Sequence, residues 1–171
     1  EQQEKIDYEA FKAIKYDNAY HNPIFSAGLQ NIEQIFHLDT LKYPDLAESI
    51  QLINAWDRKT TPDSKAGIFS ITVMFILNDL FKKGMIPGIN TLDEGTIVKH
   101  LRKGQKHLKK HFKKVDVTLG ELQRLERGDK DYPVGGMPDV MVAMNFMKGK
   151  KGRLNAFLGD AFFQFVKWDK D

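Results

Sequence analysis

At 171 residues, with 42% hydrophobic and 29% charged side chains, the chain has the make-up of a folded globular domain with length enough to bury a core. No cysteine is present, which excludes disulfides, thiolate nucleophiles and cysteine-based metal sites. The net charge of +3 is uneven. Lys99, Arg102, Lys103, Lys106, Lys109, Lys110, Lys113 and Lys114 fall between Gly95 and Val115 without an acid among them, and the other 18 bases face 23 acids. One helix makes the protein basic.

In chain order, residues 1–22 are polar, hold no apolar leader, and carry Tyr8, Phe11 and Ile14 at helical spacing before a tyrosine-bearing loop. Phe25, Leu29, Ile32 and Phe36 then form one apolar stripe, which predicts a helix over 24–38. Tyr43 precedes Pro44, where helical geometry is disfavoured, and Pro44 can open the next helix with Asp45 and Glu48 at its positive end. That helix, 45–57, lines Leu46, Ile50, Ile53 and Trp56 on its inner face.

Thr60 to Lys65 is a turn cluster, with Asp63 and Ser64 as N-caps for an apolar helix over 65–82. The apolar run from Ala66 to Leu80 is shorter than the roughly 20 apolar residues a bilayer crossing needs, so no membrane partner is expected and the other helices should bury it. Thr91 and Glu94 match a capping box for the basic helix, 93–115. Residues 116–128 read as an amphipathic segment with Leu119, Leu122 and Leu125 at spacing three. Residues 132–139 read as a Gly/Pro loop, 140–147 as a short helix or strand, and 161–168 as a strand. The fold expected is mainly α: a helical domain at 1–115, then a loop-rich segment, 116–171, with a short helix and a C-terminal strand truncated from a larger sheet. Trp56 and Phe69 should share one core.

Three constellations could carry chemistry. His100, His107 and His111 fall within about 40° on one helix face. Eight surrounding cations and the absence of a companion carboxylate favour a structural place at the core boundary over a metal site. The basic face could track phosphates, but it lacks interleaved stacking aromatics, so nucleic acid is disfavoured against a solvated or acid-docked face. The loops Arg127–Asp131 and Pro133–Asp139 carry glycines without a phosphate-loop or dinucleotide pattern. Nothing assembles a catalytic triad. No catalytic, cofactor-binding or metal residue is assigned, and no cofactor.

Leu52 to Trp56-Asp57, the Asp63-Ser64 turn and Ala66-Gly67-Ile68-Phe69 form an ordered series. Thr118-Leu119-Gly120-Glu121, Arg124 to Arg127-Gly128-Asp129, and Pro133-Val134-Gly135-Gly136-Met137-Pro138-Asp139 continue it, and Gly159-Asp160 with the following Phe162 and Phe163 ends it. The series resembles the β-chain of the penicillin amidase family of N-terminal-nucleophile hydrolases, which includes the penicillin and acyl-homoserine-lactone acylases, its first part matching the helical portion of that chain and its last a Gly-Asp-Ser strand. Leu119 stands where that family usually has Trp.

The resemblance implies a parent enzyme, periplasmic or secreted, that hydrolyses the linear amide of an acyl side chain on a β-lactam, a homoserine lactone or a similar amine. In that family the nucleophilic Ser, an oxyanion Asn and the calcium ligands lie outside the matched motifs. The chain is therefore expected to be an interior β-chain piece that scaffolds the parent's other segments and is inactive alone. The alternative is a stand-alone helical module that uses helix 95–115 on nucleic acid or an acidic partner. Phe157, Phe162, Phe163, Phe165 and Trp168 make self-association through 157–168 an expectation of either reading.

Overall fold

The apolar run at the middle of the sequence becomes the central helix, because a helix apolar on every side is stable only when surrounded. The computed structural model describes residues 6–22, 24, 29–84, 92–140, 144–159 and 166–167. Within them α1 is Tyr8–Lys15, α2 Ala47–Ala55, α3 Gly67–Lys82, α4 Glu94–Phe112 and α5 Leu119–Leu122. The strands are β1 Gln123–Arg127, β2 Lys130–Pro133, β3 Met144–Lys148 and β4 Leu154–Gly159. Short 3-10 turns occupy Ile32–His37, Pro44–Leu46 and Lys150–Gly152.

Helix α3 buries residues on all faces, from Gly67 and Ile68 through Ile76 to Leu80. Helix α4 crosses it antiparallel, so that Asp79 meets His100 and Thr72 meets Gly104. A Cβ at Gly104 would stand 2.9 Å from the Thr72 hydroxyl and 3.2 Å from an Ile71 methyl, so glycine is what lets the axes approach. As expected, Trp56 and Phe69 share one core: their rings lie 4.9 Å apart, with Tyr20 and Phe36 against Phe69 at 6.2 and 6.0 Å. The same core continues without a break through Val115, Val117, Leu119 and Leu122 to Leu154.

The second layer overturns the mainly α expectation. The structure is 49% helical and 15% strand, and the described strands form one four-stranded mixed sheet of order β2-β1-β4-β3, so the chain is an α+β protein. Two antiparallel hairpins, β1–β2 and β3–β4, lie side by side and join through a short parallel pairing of Gln123 with Leu154 and Arg124 with Asn155. The leucine spacing over 116–128 misleads because it spans two structures. A capping box of Thr118 and Glu121 closes α5 after one turn, and the chain then extends from Gln123 into a hairpin turned at Gly128, φ 58°. Strand β3 settles the open reading of 140–147, while β4 lies in a stretch with no strand signal in the sequence. The expected strand at 161–168 lies almost wholly outside the described residues.

Other boundaries move for local reasons. In place of a helix over 24–38 the structure has the 3-10 turn Ile32–His37, launched from Asn31 in the left-handed region, φ 64°. Helix α2 ends at Ala55 because Trp56 is extended, ψ 130°. Helix α4 ends at Phe112, not 115, where Lys113 turns left-handed at φ 64°. Its cap is Asp93, which accepts from the Thr96 amide at 2.7 Å; Thr91 lies outside the described residues. Neither Asp63 nor Ser64 caps α3, whose first amide, Gly67, donates to the Val117 carbonyl instead.

Candidate functional site

The turn Thr60-Thr61-Pro62 presents backbone carbonyls to two distant segments. Pro62 accepts from the Gly120 amide at 2.6 Å, and Thr60 accepts from the Gly136 amide at 2.7 Å. A Cβ at Gly135 would fall on the Thr60 carbonyl oxygen, and one at Gly120 would come within 2.9 Å of the Pro62 oxygen. Both glycines are therefore required by close backbone approach. Ser64 ties in the tryptophan: Trp56 Nε1 donates to Ser64 Oγ at 2.9 Å and to the Lys59 carbonyl at 2.8 Å. The Ser64 carbonyl then accepts from the Leu119 amide at 2.8 Å, and the Tyr20 hydroxyl donates to the Pro138 carbonyl.

The result is one knot in which residues 56–67, 117–124 and 133–138 hold each other's backbone. The glycines of Pro133–Asp139 are spent on packing, and no ring of amides is left open to cradle an anion. Arg124 closes the knot, donating to the Gly120 carbonyl at 2.8 Å and to Asp131 at 2.6 Å. Those bonds hold the Asp131 carboxyl below its usual range, with Arg153 adding charge.

The three histidines divide into two environments. His100 is buried, its Nδ1 2.8 Å from the Thr96 carbonyl and its Nε2 3.1 Å from Asp79. Both neighbours are acceptors, so each contact is made when the ring nitrogen facing it carries the proton. The hydrogen bond to His100, more than the charges of His100, Lys103 and Lys99, holds the Asp79 carboxyl below its usual range. His107 and His111 sit one turn apart, rings 4.6 Å between centroids, beneath the turn that joins β3 to β4. His107 Nε2 contacts the Gly152 carbonyl at 2.7 Å, and the His111 ring lies where a Gly152 Cβ would go. Burial, then the charges of His107, Lys110, Lys148 and Lys113, push the His111 ring down from the ordinary histidine value. Among the described residues no group of three or more His, Asp or Glu could hold a metal ion.

The basic face of α4 is docked on acids along one side. Arg102 pairs with Asp45 at 2.7 Å, Lys109 with Glu48 at 3.3 Å, Lys99 with Asp79 at 3.8 Å and Lys114 with Glu121 at 2.7 Å. These acids come from the Pro44–Leu46 turn, α2, α3 and α5, so the helix that looks unneutralised in sequence is neutralised in part by the fold. Asp79, Gly104, Gly152 and the lysines of 148–151 escape a reading of the sequence. Gly104 lies in α4 and the others act on that helix from segments whose neighbourhood only the fold supplies. No family model matches the chain, and neither does any curated protein. No described helix is long and apolar enough to cross a membrane.

Proposed function

We propose that the chain is the helical scaffold segment of a penicillin amidase-type hydrolase, one that cleaves the linear amide of an acyl side chain from a β-lactam, a homoserine lactone or a similar amine. One observation carries this reading: two stretches whose residue order resembles that family, 52–69 and 118–139, interlock residue by residue. Ser64 receives the Trp56 indole, Gly120 and Gly135 have no room for a side chain, and Glu121 caps α5. Residue types that look like a loose pattern in sequence each have a distinct steric or hydrogen-bonding duty in a single knot.

The role of the segment follows from its chemistry. No described residue pairs a nucleophile with a base, and the carbonyls of Thr60, Pro62 and Ser64 in the knot are taken up by the amides of Gly136, Gly120 and Leu119. The chain's work is to hold a rigid wall against which the parent's nucleophile-bearing segment packs. The remaining β-chain and the α-chain are its partners and an acyl amide the substrate. A periplasmic or secreted place goes with that reading.

The test is the gene surrounding this segment. Its product should cleave itself to expose an amino-terminal serine, read by sequencing the mature β-chain. It should also release free amine from N-acylated β-lactam or homoserine lactone, read by mass spectrometry, while the 171-residue chain alone releases none. A gene product that neither self-cleaves nor hydrolyses such amides overturns the reading.

A further inference from the structure

Two lysine-rich stretches far apart in the sequence, 106–113 and 148–151, meet on one surface. Lys106 and Lys110 share one stripe of α4 and Lys113, just past its end, reaches back to the Lys110 carbonyl, while Lys148, Lys150 and Lys151 precede and form the turn that packs on His107 and His111. The turn is pinned there by the His107–Gly152 contact, and Lys148 stands close enough to His111 to depress its protonation. All six lysines are exposed, and none makes an ion pair among the described residues. The acids that neutralise α4 reach Lys99, Arg102 and Lys109 instead, and Arg153, in the same turn, is held by Asp131 at 3.1 Å.

We propose that this surface docks peripherally on an anionic phospholipid membrane. Lysine is the chemistry for that partner: a hydrated point charge on a flexible stem suits a fluid layer of headgroups, whereas bidentate phosphate recognition uses arginine forks. The patch offers no free arginine. Its histidine rings are not open to stack on bases either, since His107 and His111 pack on each other and His107 on Phe75. The hairpin that carries three of the lysines also exposes Met147 and Phe157, 50% and 48%, on the strand positions that alternate with its core-facing residues. Lysines beside exposed apolar side chains are suited to an interface where charge meets acyl chain. Such docking needs no spanning helix and does not depend on the amidase reading.

The experiment is cosedimentation of the chain with vesicles of phosphatidylcholine alone, or with about one-third phosphatidylglycerol. Each lysine at an anionic surface is worth about fivefold in partitioning, so neutralising three should cost about a hundredfold. Binding is expected only with phosphatidylglycerol and should fall steeply with salt. The triple variant Lys148→Gln, Lys150→Gln, Lys151→Asn should lose about a hundredfold, as should Lys106→Gln, Lys110→Gln, Lys113→Gln. The second set decides if the first unfolds. Lys42→Gln, Lys82→Gln, Lys83→Gln removes equal charge at the opposite end of α4, about 25 Å away by helical rise, and should change little. Equal binding to phosphatidylcholine overturns the proposal, as does an equal loss in the control. Tighter binding to a DNA duplex than to vesicles at matched phosphate also overturns it, in favour of a nucleic-acid surface.

Discussion

The two layers of this protein are held together by different physics. In the helical layer, Phe69, Ile71, Ile76, Ile97 and Leu101 are fully buried around α3 and α4, and cohesion comes from apolar area removed from water. In the sheet, strand β2 is exposed at every residue, and the braces are arginines. Arg124 and Arg153 converge on Asp131, and Arg127 donates to the Ala156 and Phe157 carbonyls at 3.0 and 3.2 Å, just beyond the two registered β1–β4 pairs. Burial in a close-packed core is costly to disturb, while exposed ion pairs and hydrogen bonds are individually cheap. The two layers should therefore respond very differently to a single truncation.

The largest expected effect tests that difference directly. Phe69→Ala empties a site walled by Tyr20, Phe36 and Trp56 and should cost about 3–5 kcal/mol of unfolding free energy. Arg127→Ala should cost about 1 kcal/mol, because water can replace an exposed donor. Urea unfolding of both variants decides it. Equal losses would mean that the sheet is held as tightly as the core.

A pair of glycines sharpens the comparison at the backbone. Gly135→Ala drives a methyl into the Thr60 carbonyl, a backbone atom that cannot rotate away, and should cost more than about 3 kcal/mol or displace the loop. Gly128→Ala, in the β1–β2 turn, meets nothing within 4 Å and suffers only from its φ of 58°, so about 1 kcal/mol is expected. Thermal melts of the two variants measure this. A larger loss at Gly128 would show that conformation, not crowding, sets the cost.

The same contrast explains which elements could be read from sequence. Helices α2, α3 and α4 are written in apolar periodicity, and the structure places each within about three residues of its expected bounds. Strands β1 and β2, Gln-Arg-Leu-Glu-Arg and Lys-Asp-Tyr-Pro, carry almost no β-branched residue and no apolar alternation, because their outward groups pair with one another. A strand held by cross-strand charge has no one-dimensional signature. The histidines were legible as boundary residues. That His100 would meet Asp79 and the other two Gly152 was not, since those partners lie 21 and about 45 residues away.

Acidification should act on the layers in two steps. Folding lowers the proton affinity of His111, so the unfolded chain protonates first as pH falls. The stability His111 contributes is complete above its ordinary value of 6.5 and is lost as pH falls below that value and through the lower value of the folded state. Asp79, Asp131 and Asp45 are depressed in the same sense as carboxylates, and their contribution is lost only below about pH 4. The first step should loosen the β3–β4 turn from α4, seen as faster amide exchange near Gly152 with the α3 amides unchanged. His111→Gln should abolish that step and leave the second. Simultaneous loss of both layers near pH 6 would contradict the separation.

The smallest effect belongs to the residue that joins the layers. Gln123 begins β1, is buried against α3, and donates from Nε2 to Ser70 Oγ at 3.1 Å, while its Oε1 is buried without a partner. A lone buried acceptor costs about 1–3 kcal/mol, comparable to what the single hydrogen bond returns. Gln123→Leu removes the orphan acceptor and adds apolar burial beside Leu154, its neighbour across the parallel pairing. It also leaves the Ser70 hydroxyl without its amide partner, but a serine within a helix can donate to the carbonyl one turn back, here that of Ala66. These changes oppose one another, so the net shift should stay within about 1 kcal/mol of zero. Gln123→Glu places a charge in the same buried site and should cost several times more, since desolvating a carboxylate costs more than desolvating an amide. Chemical unfolding of the two variants side by side is the check. A Leu variant as damaged as the Glu variant would mean that the layers are joined through the Gln123–Ser70 hydrogen bond and not through the apolar contacts around it.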